Sequence, residues 1–329
     1  MTGKKTTFCI AAYDDAVTLH ETVVNILDTV KGEDIDIIIV DDSNNLDESL
    51  FKSFSNVSIF HNKTRGGVGY SLDFAVKHAK TDIVFIMGCD IRFSGDWFDR
   101  FYTVVKAHPT SIVNSVCAGL APDRRYITGK ENHYYAAHVL FHVTEKNNRK
   151  PALPFREYLE GKWNNWPKQR RLDCNIEQVG CLMGAFYGCH RDWFLKIRGF
   201  EGHKTWGTLE PLLSLRSYVA GGDCIIDGKT VAGHIFKPSS SKKPIRDLIY
   251  NKLLVASTLL PKDMEKTVYE WAATLKHGRD AIKMIEADSQ LVSLLAGFGR
   301  ESVKKFGVDS EWDEEQLRTL IKATGVLDP

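Results

Sequence analysis

Apolar and polar positions change period repeatedly along the first third of the chain, and each change predicts a new element. Residues 6–12 form a short continuous apolar run, predicted as a strand, and residues 18–30 carry apolar positions at helical spacing. Residues 34–40 repeat the strand pattern, followed by a short strand at 57–60. A loop from Asn62 to Gly69 leads into a helix with Leu72, Ala75, Val76 and Ala79 at i, i+3, i+4 and i+7. Residues 83–87 predict another strand, and residues 97–107 another helix. Uninterrupted apolar strands are buried on both faces, and their alternation with helices predicts a doubly wound, mostly parallel sheet. From residue 118 to 172 the pattern gives way to aromatic and basic material, and residues 181–200 look ordered again. Residues 211–219 read as a helix stopped by Gly221-Gly222. A polar loop rich in Pro and Ser covers 238–244, and everything beyond 245 is helical in pattern, ending in an amphipathic tail around Leu317, Leu320 and Ile321.

Two of the apolar runs end abruptly in acid: Ile37-Ile38-Ile39-Val40 in Asp41-Asp42, and Ile83-Val84-Phe85-Ile86-Met87-Gly88-Cys89 in Asp90. Parallel strands of this kind deliver carboxylates to the C-terminal edge of the sheet, where ligands of open α/β folds collect. Trp206-Gly207-Thr208-Leu209-Glu210 then supplies a further carboxylate, and Gly233-His234-Ile235-Phe236-Lys237 an imidazole beside a cation. Carboxylates with an imidazole suit a divalent metal, and a metal with a Lys can neutralise a diphosphate.

The chain has 329 residues, enough for one large α/β domain plus an appendage, or for two modest domains. Its 43% apolar and 26% charged content is that of a folded globular chain rather than a disordered or membrane-spanning one. A formal charge of +1 provides no global field, so an anionic partner has to be met by local patches. The seven Cys are scattered, odd in number and without a C-x-x-C pair, which predicts reduced thiols. With no apolar leader after Met1 and no run near the ~20 residues that span a bilayer, a cytoplasmic protein is expected.

The four landmarks, in their order, resemble nucleotide-sugar glycosyltransferases of the GT-A fold, both the large inverting family and the polypeptide N-acetylgalactosaminyltransferases. The resemblance runs from about residue 6 to about residue 237. It implies an α/β fold with a GT-A-like doubly wound, mostly parallel sheet over residues 1–245 and a helical C-terminal region over 246–329. Within the first part, residues 1–117 would be the nucleotide-binding half and 118–245 the acceptor half, with a basic aromatic insertion at 145–171. The implied donor is a UDP-sugar, with Mn²⁺ or Mg²⁺ as cofactor. Ala11 and Tyr13, Asp41 or Asp42, and Arg65 with Gly66 fall on positions that hold the base; a carboxylate suits the uracil imide because it only accepts.

Asp90 occupies the second acid of the metal-binding triplet, whose first acid is Gly88 here. Cys89 between them falls on the donor side, although a soft thiol suits neither Mg²⁺ nor Mn²⁺ and reads as buried packing. His234 matches a metal ligand, and Lys237 stands where the relatives have an Arg that approaches phosphate, keeping the charge without the bidentate fork. Trp206 opens a segment like Trp-Gly-Gly-Glu-(Asp or Asn), with Leu209 at its first acid position and Glu210 at the second. In inverting relatives that second acid deprotonates the acceptor hydroxyl, which makes Glu210 the implied catalytic residue. The segment from Gly180 to Tyr187 resembles the acceptor-side strand, and Arg198-Gly199-Phe200-Glu201 stands for Gly-Gly-Phe-Asp.

Plainer readings stand beside these. Asp41-Asp42 before Ser43-Asn44-Asn45 also reads as an Asx turn, and Glu210-Pro211 as an ordinary helix start. The glycines at 66–69 lack the dinucleotide spacing and read as a tight turn before a helix at Ser71. His138 and His142 lie one helical turn apart with His133 nearby, without an H-E-x-x-H pattern. Between Glu145 and Arg171 eight Lys or Arg outnumber three Glu and interleave with Phe155, Tyr158, Trp163 and Trp166, as suits a saccharide, an anionic polymer or a solvated face. The expected activity is transfer of a sugar to a hydroxyl of a saccharide, a protein or a hydroxylated nucleic-acid base, with inversion or retention both open. The absence of acids at Gly88 and Leu209 keeps a non-catalytic binding module on the same fold as an alternative. Nucleotidyl transfer is a further one, against which Ala11-Ala12-Tyr13-Asp14-Asp15 lacks the Gly-rich basic loop.

Overall fold

The structure is a computed structural model that describes residues 5–121, 133–134, 136–139, 161–164, 176–184, 186–236, 244–304, 313 and 316–317. Strand β1 (Lys5–Ala12) leads through helix α1 (Ala16–Thr29) to β2 (Asp34–Asp41) and β3 (Val57–His61). Helix α2 (Val68–His78) then precedes β4 (Ile83–Gly88), the short β5 (Ile91–Phe93), α3 (Trp97–Ala107) and β6 (Ser111–Gly119). Four short strands follow, β7 (His133–Tyr134), β8 (Ala136–Val139), β9 (Gly161–Asn164) and β10 (Ile176–Gln178). After β11 (Phe186–His190) come α4 (Arg191–Lys196), α5 (Leu209–Val219) and the long β12 (Asp223–His234). Helices α6 (Ile245–Leu259), α7 (Lys262–Ala273), α8 (Gly278–Ala287) and α9 (Ser289–Val303) complete the described chain.

One mixed sheet runs in the order β10-β12-β6-β11-β4-β1-β2-β3, with β5 on β12 and β7 on β6. Its half from β3 to β4 is parallel, β12 is parallel to β6, and β11 lies antiparallel between β4 and β6. Side chains alternate across a strand, and both faces of this sheet are covered. On β1, Phe8 and Ile10 pack with α1 and α3, while Cys9 and Ala11 join α2, α4 and α5 on the other face. The expected α/β class with a doubly wound, mostly parallel sheet is what the described chain forms. Among the described residues no helix is long and apolar enough to cross a membrane.

Helix α5 is buried on two sides. Leu209 and Leu213 face the sheet, while Leu212, Leu215 and Val219 share a cluster with Cys117, Cys181, Met183 and apolar residues of α6 to α9. That second cluster also takes in Leu317; Leu320 and Ile321 lie outside the described residues. Arg216, 1% exposed, donates to the carbonyls of Arg198, Gly199 and Glu201, tying α5 to the turn after α4. Burial lowers its pKa to about 10, so it stays charged opposite the Asp73 carboxyl, which burial raises to about 7.

The structure corrects one sequence reading here. His138 sits on strand β8, paired with Lys162 of β9, so the helical relation to His142 fails. His142 itself, and all of the 145–171 insertion apart from β9, lie outside the described residues.

Candidate active site

The C-terminal ends of β1, β2 and β4 lie side by side, with Ala11 paired to Val40 on one flank and Gly88 on the other. Asp41, 1% exposed, closes the turn after β2. Its carboxylate accepts the Ser43, Asn45 and Leu46 amides, the Ser43 hydroxyl and His61 Nδ1. Burial opposes its ionisation, but the bonds from Ser43, Leu46 and His61 outweigh that and hold its pKa below the ordinary value. Asp42 is used differently. It accepts Asn62 Nδ2 at 2.7 Å and the amides of Gly66 and Gly67 at 2.6 and 2.9 Å, so it draws the glycine loop onto the sheet edge. Gly67 is required there: at φ +88°, a Cβ would lie 2.4 Å from Thr205 Cα. The close approach pairs Gly67 with Thr205 and brings Trp206, 50% exposed, to the same edge. The Arg65 guanidinium lies over the Tyr13 ring, 4.3 Å from its centroid, and Tyr13 is itself half exposed.

Asp90 follows β4, and its Oδ1 lies 3.5 Å from His234 Nε2 at the end of β12. The pairing of β12 with β5 and β6 sets His234 there, opposite Ile91 and Gly119. Gly88 gives the Asp90 carboxylate its room, since a Cβ at 88 would stand 3.0 Å from Asp90 Oδ1. Cys89 is 8% exposed and packs into the cluster of α1 and α3. One carboxylate oxygen and one imidazole nitrogen are suitable donors for Mn²⁺, fewer than the ~six such an ion takes. Among the described residues no group of three or more His, Cys, Asp or Glu could hold a metal. Lys237 lies outside the described residues.

Glu210 is the second residue of α5, which starts at Leu209 and so includes Leu209 and Glu210 ahead of the predicted start at 211. Leu209 packs in the core, while Glu210 Oε1 accepts the Tyr187 hydroxyl at 2.9 Å. Burial pushes the Cys117 thiol up to about 12, and the Asp90 and Glu210 carboxylates, both within electrostatic reach, add to it. The loop before α5 is held from α6. Asn251, 1% exposed, accepts the Lys204 amide at 2.8 Å and donates towards the carbonyls of Lys204 and Gly207 at 2.8 and 3.1 Å. His203 Nε2 also meets the Gly207 carbonyl at 2.6 Å, and burial lowers its pKa to about 4, which makes it a neutral donor there. Sequence reasoning passed over Asn251 and the Tyr187 hydroxyl. A polar residue inside the apolar run of α6 was the one visible sign of the first.

A model of glycosyl transferase family 2 matches residues 7–197, more than half of the chain. The chain belongs to this family. Asp41, Asp42 and Asp90 of this glycosyltransferase-family chain fall inside the matched span, and Glu210 and His234 beyond it. The structure of GalNAc-T7 with UDP, GalNAc and Mn²⁺ is similar at a TM-score of 0.70 and 14% identity, covering 97% of this chain. The chain spans 56% of that structure's length. S. aureus TarS 1-349 is similar at a TM-score of 0.50 and 11% identity, covering 96% of this chain and 83% of the other. At these identities the likeness establishes a GT-A fold. No curated protein matches the chain.

Proposed function

We propose that the protein transfers a sugar from a UDP-sugar to a hydroxyl-bearing acceptor, with Glu210 as general base and inversion at the anomeric carbon. The observation that carries this reading is that Asp90, paired with His234, and Glu210 both act electrostatically on the same buried thiol, Cys117, in a chain of glycosyl transferase family 2. In the reaction the acceptor hydroxyl gives its proton to Glu210 and its oxygen bonds to the anomeric carbon. The bond from that carbon to the diphosphate breaks, its electron pair leaving with UDP. Tyr13 and Arg65 would contact the uracil, with Asp42 as the acid that reads it, because Asp41 is saturated by its own turn. Asp90 and His234 would hold Mn²⁺ or Mg²⁺. When bound, the ion supplies neutralising charge for the diphosphate, to which Lys237 would add. The acceptor is polar or anionic, as the basic aromatic insertion suggests. A reducing, cytoplasmic compartment is supported by the six described cysteines, all of them buried thiols.

The test is release of UDP from a panel of UDP-sugars, with Mn²⁺ and with EDTA. Glu210→Gln is expected to lower turnover by ~10²–10⁴ with UDP affinity little changed. Turnover of that variant at the parent's rate refutes the base assignment. Full parental turnover in EDTA refutes the metal, and equal or tighter binding of GDP refutes the uracil reading. UDP-sugar binding with no turnover on any sugar would instead favour a binding module, consistent with Gly88 and Leu209 at the acid positions.

A further inference from the structure

Resting on that assignment of Glu210, we infer that the Tyr187 hydroxyl and the bare backbone at Gly184 form a seat that aims the Glu210 carboxylate, making both of them positioning residues. Tyr187 is 5% exposed on β11, the antiparallel strand in the middle of the sheet, where it pairs with Ile86 and Asn114. Its ring has no latitude in the packed core, so the hydroxyl points at Glu210 Oε1 from a fixed origin, 2.9 Å away.

The segment before β11 closes the seat from another side. Leu182 N donates to Ser214 Oγ at 2.9 Å, and that hydroxyl donates to the Glu210 carbonyl at 2.6 Å. Met183 N donates to Asn114 Oδ1 at 2.7 Å. Residues 182 and 183 are thereby pinned both to the first turn of α5 and to β6, which fixes where residue 184 runs. A Cβ at 184 would stand 2.5 Å from Glu210 Oε1 and 3.4 Å from Tyr187 Oη. Any side chain at 184 therefore competes with the carboxylate for one position. The oxygen is located by a hydrogen bond from β11 and by unobstructed backbone from the 181–184 segment.

Two thiols also lie within electrostatic reach of Glu210, Cys117 from β6 and Cys181 from the same segment, both raised by burial. Burial, with Glu210 beside it, also raises the Tyr187 phenol well above its ordinary value, so it keeps its proton and remains a donor. A donor aimed at a carboxylate favours the ionised form, the one a general base needs, and fixes its direction. A tyrosine that merely filled the core would serve equally well as phenylalanine.

That difference is measurable. The full-length protein is assayed for UDP release from whichever UDP-sugar turns over fastest, with water as the acceptor. Tyr187→Phe is expected to lower kcat about ten-fold with the donor KM unchanged. The acidic limb of its kcat profile should move to higher pH, the sign expected when a donor to the ionised base is lost. Gly184→Ala should also lower kcat at constant donor KM, by displacing the same oxygen. In a Glu210→Gln background, Tyr187→Phe should cost nothing further, because the two act as one unit. A Tyr187→Phe variant with parental kcat and acidic limb, beside a disabled Glu210→Gln, overturns the seat and leaves the base assignment standing. A Glu210→Gln variant at parental rate overturns the base itself, and the seat with it.

Discussion

Adjacent carboxylates at the end of β2 have been put to separate uses, and hydrogen-bond capacity decides which is which. Asp41 serves its own turn and His61, whereas Asp42 holds the Gly66–Gly67 amides that shape the sheet edge. His61 bridges Glu48 Oε1 at 2.7 Å and Asp41 Oδ2 at 3.0 Å. Its pKa is raised, chiefly by Glu48 and also by Asp41, against the opposing pull of burial. A raised imidazole contributes stability that is full below its unfolded value, near 6.5, and fades as pH climbs through the folded one. His61→Gln should therefore lower the melting temperature clearly in mildly acidic buffer and only slightly in alkaline buffer. Melts of both proteins in the two buffers check this. An equal loss at both pH values would mean that the ring matters through packing rather than charge.

Elements divide sharply into those legible in sequence and those that are not. Helix α3 spans the predicted 97–107, and β1, β2, β3 and β4 lie within a residue of their predicted ends, because their polar residues stay at strand ends or at the exposed positions Asp36 and Ser58. Strands β6 and β12 were not foreseen. Asn114 and Ser115 break the apolar run of β6, and Asp227 that of β12, yet all three are buried. Asn114 accepts the Met183 amide, and Asp227 takes the Arg100 guanidinium at a β-bulge. Tertiary bonds of this kind satisfy a buried polar group in ways that periodicity does not record. The candidate site divides in the same way. Asp90 could be picked out because it ends a recognisable apolar run, and Glu210 and His234 because their segments resemble those of known glycosyltransferases, but Asn251 acts across a gap of more than forty residues, on the loop from His203 to Gly207. Asn251→Ala would leave the Lys204 amide and the Lys204 and Gly207 carbonyls without that partner, at a cost of about 1–3 kcal/mol for a buried group so deprived. Roughly 5 °C off the melting temperature is expected, together with slower UDP release and a raised donor KM as Trp206 loses its support. Parental kinetics with a lowered melting temperature would confine Asn251 to a stabilising role.

At the scale of the whole molecule, the C-terminal helices bear on whether the sheet region stands alone. The family match ends at residue 197, before α5 and all of α6 to α9, yet α5 carries Glu210 and shares its outer face with those helices. Leu212, Leu215 and Val219 of α5, with Cys117, Cys181 and Met183 beneath it, are covered by Ile249, Leu253, Leu254 and their neighbours. Burying one such aliphatic side chain contributes about 1.5–3 kcal/mol, so exposing the set costs as much as the ~5–15 kcal/mol margin of a typical domain. A polar tie crosses the same boundary: Lys204 pairs with Asp288 at 3.0 Å, and within the helices Asp288 accepts the Tyr250 hydroxyl at 2.7 Å. Helices α6 to α9 are thus proposed to be an integral wall of the catalytic unit rather than a separable appendage. A chain ended after residue 243 should lose its cooperative thermal transition and its near-ultraviolet circular dichroism, bind a hydrophobic dye, and show no UDP release. If that shortened chain instead melts cooperatively and turns over UDP-sugar at the parental rate, the region before residue 244 folds and works by itself, and the wall is dispensable.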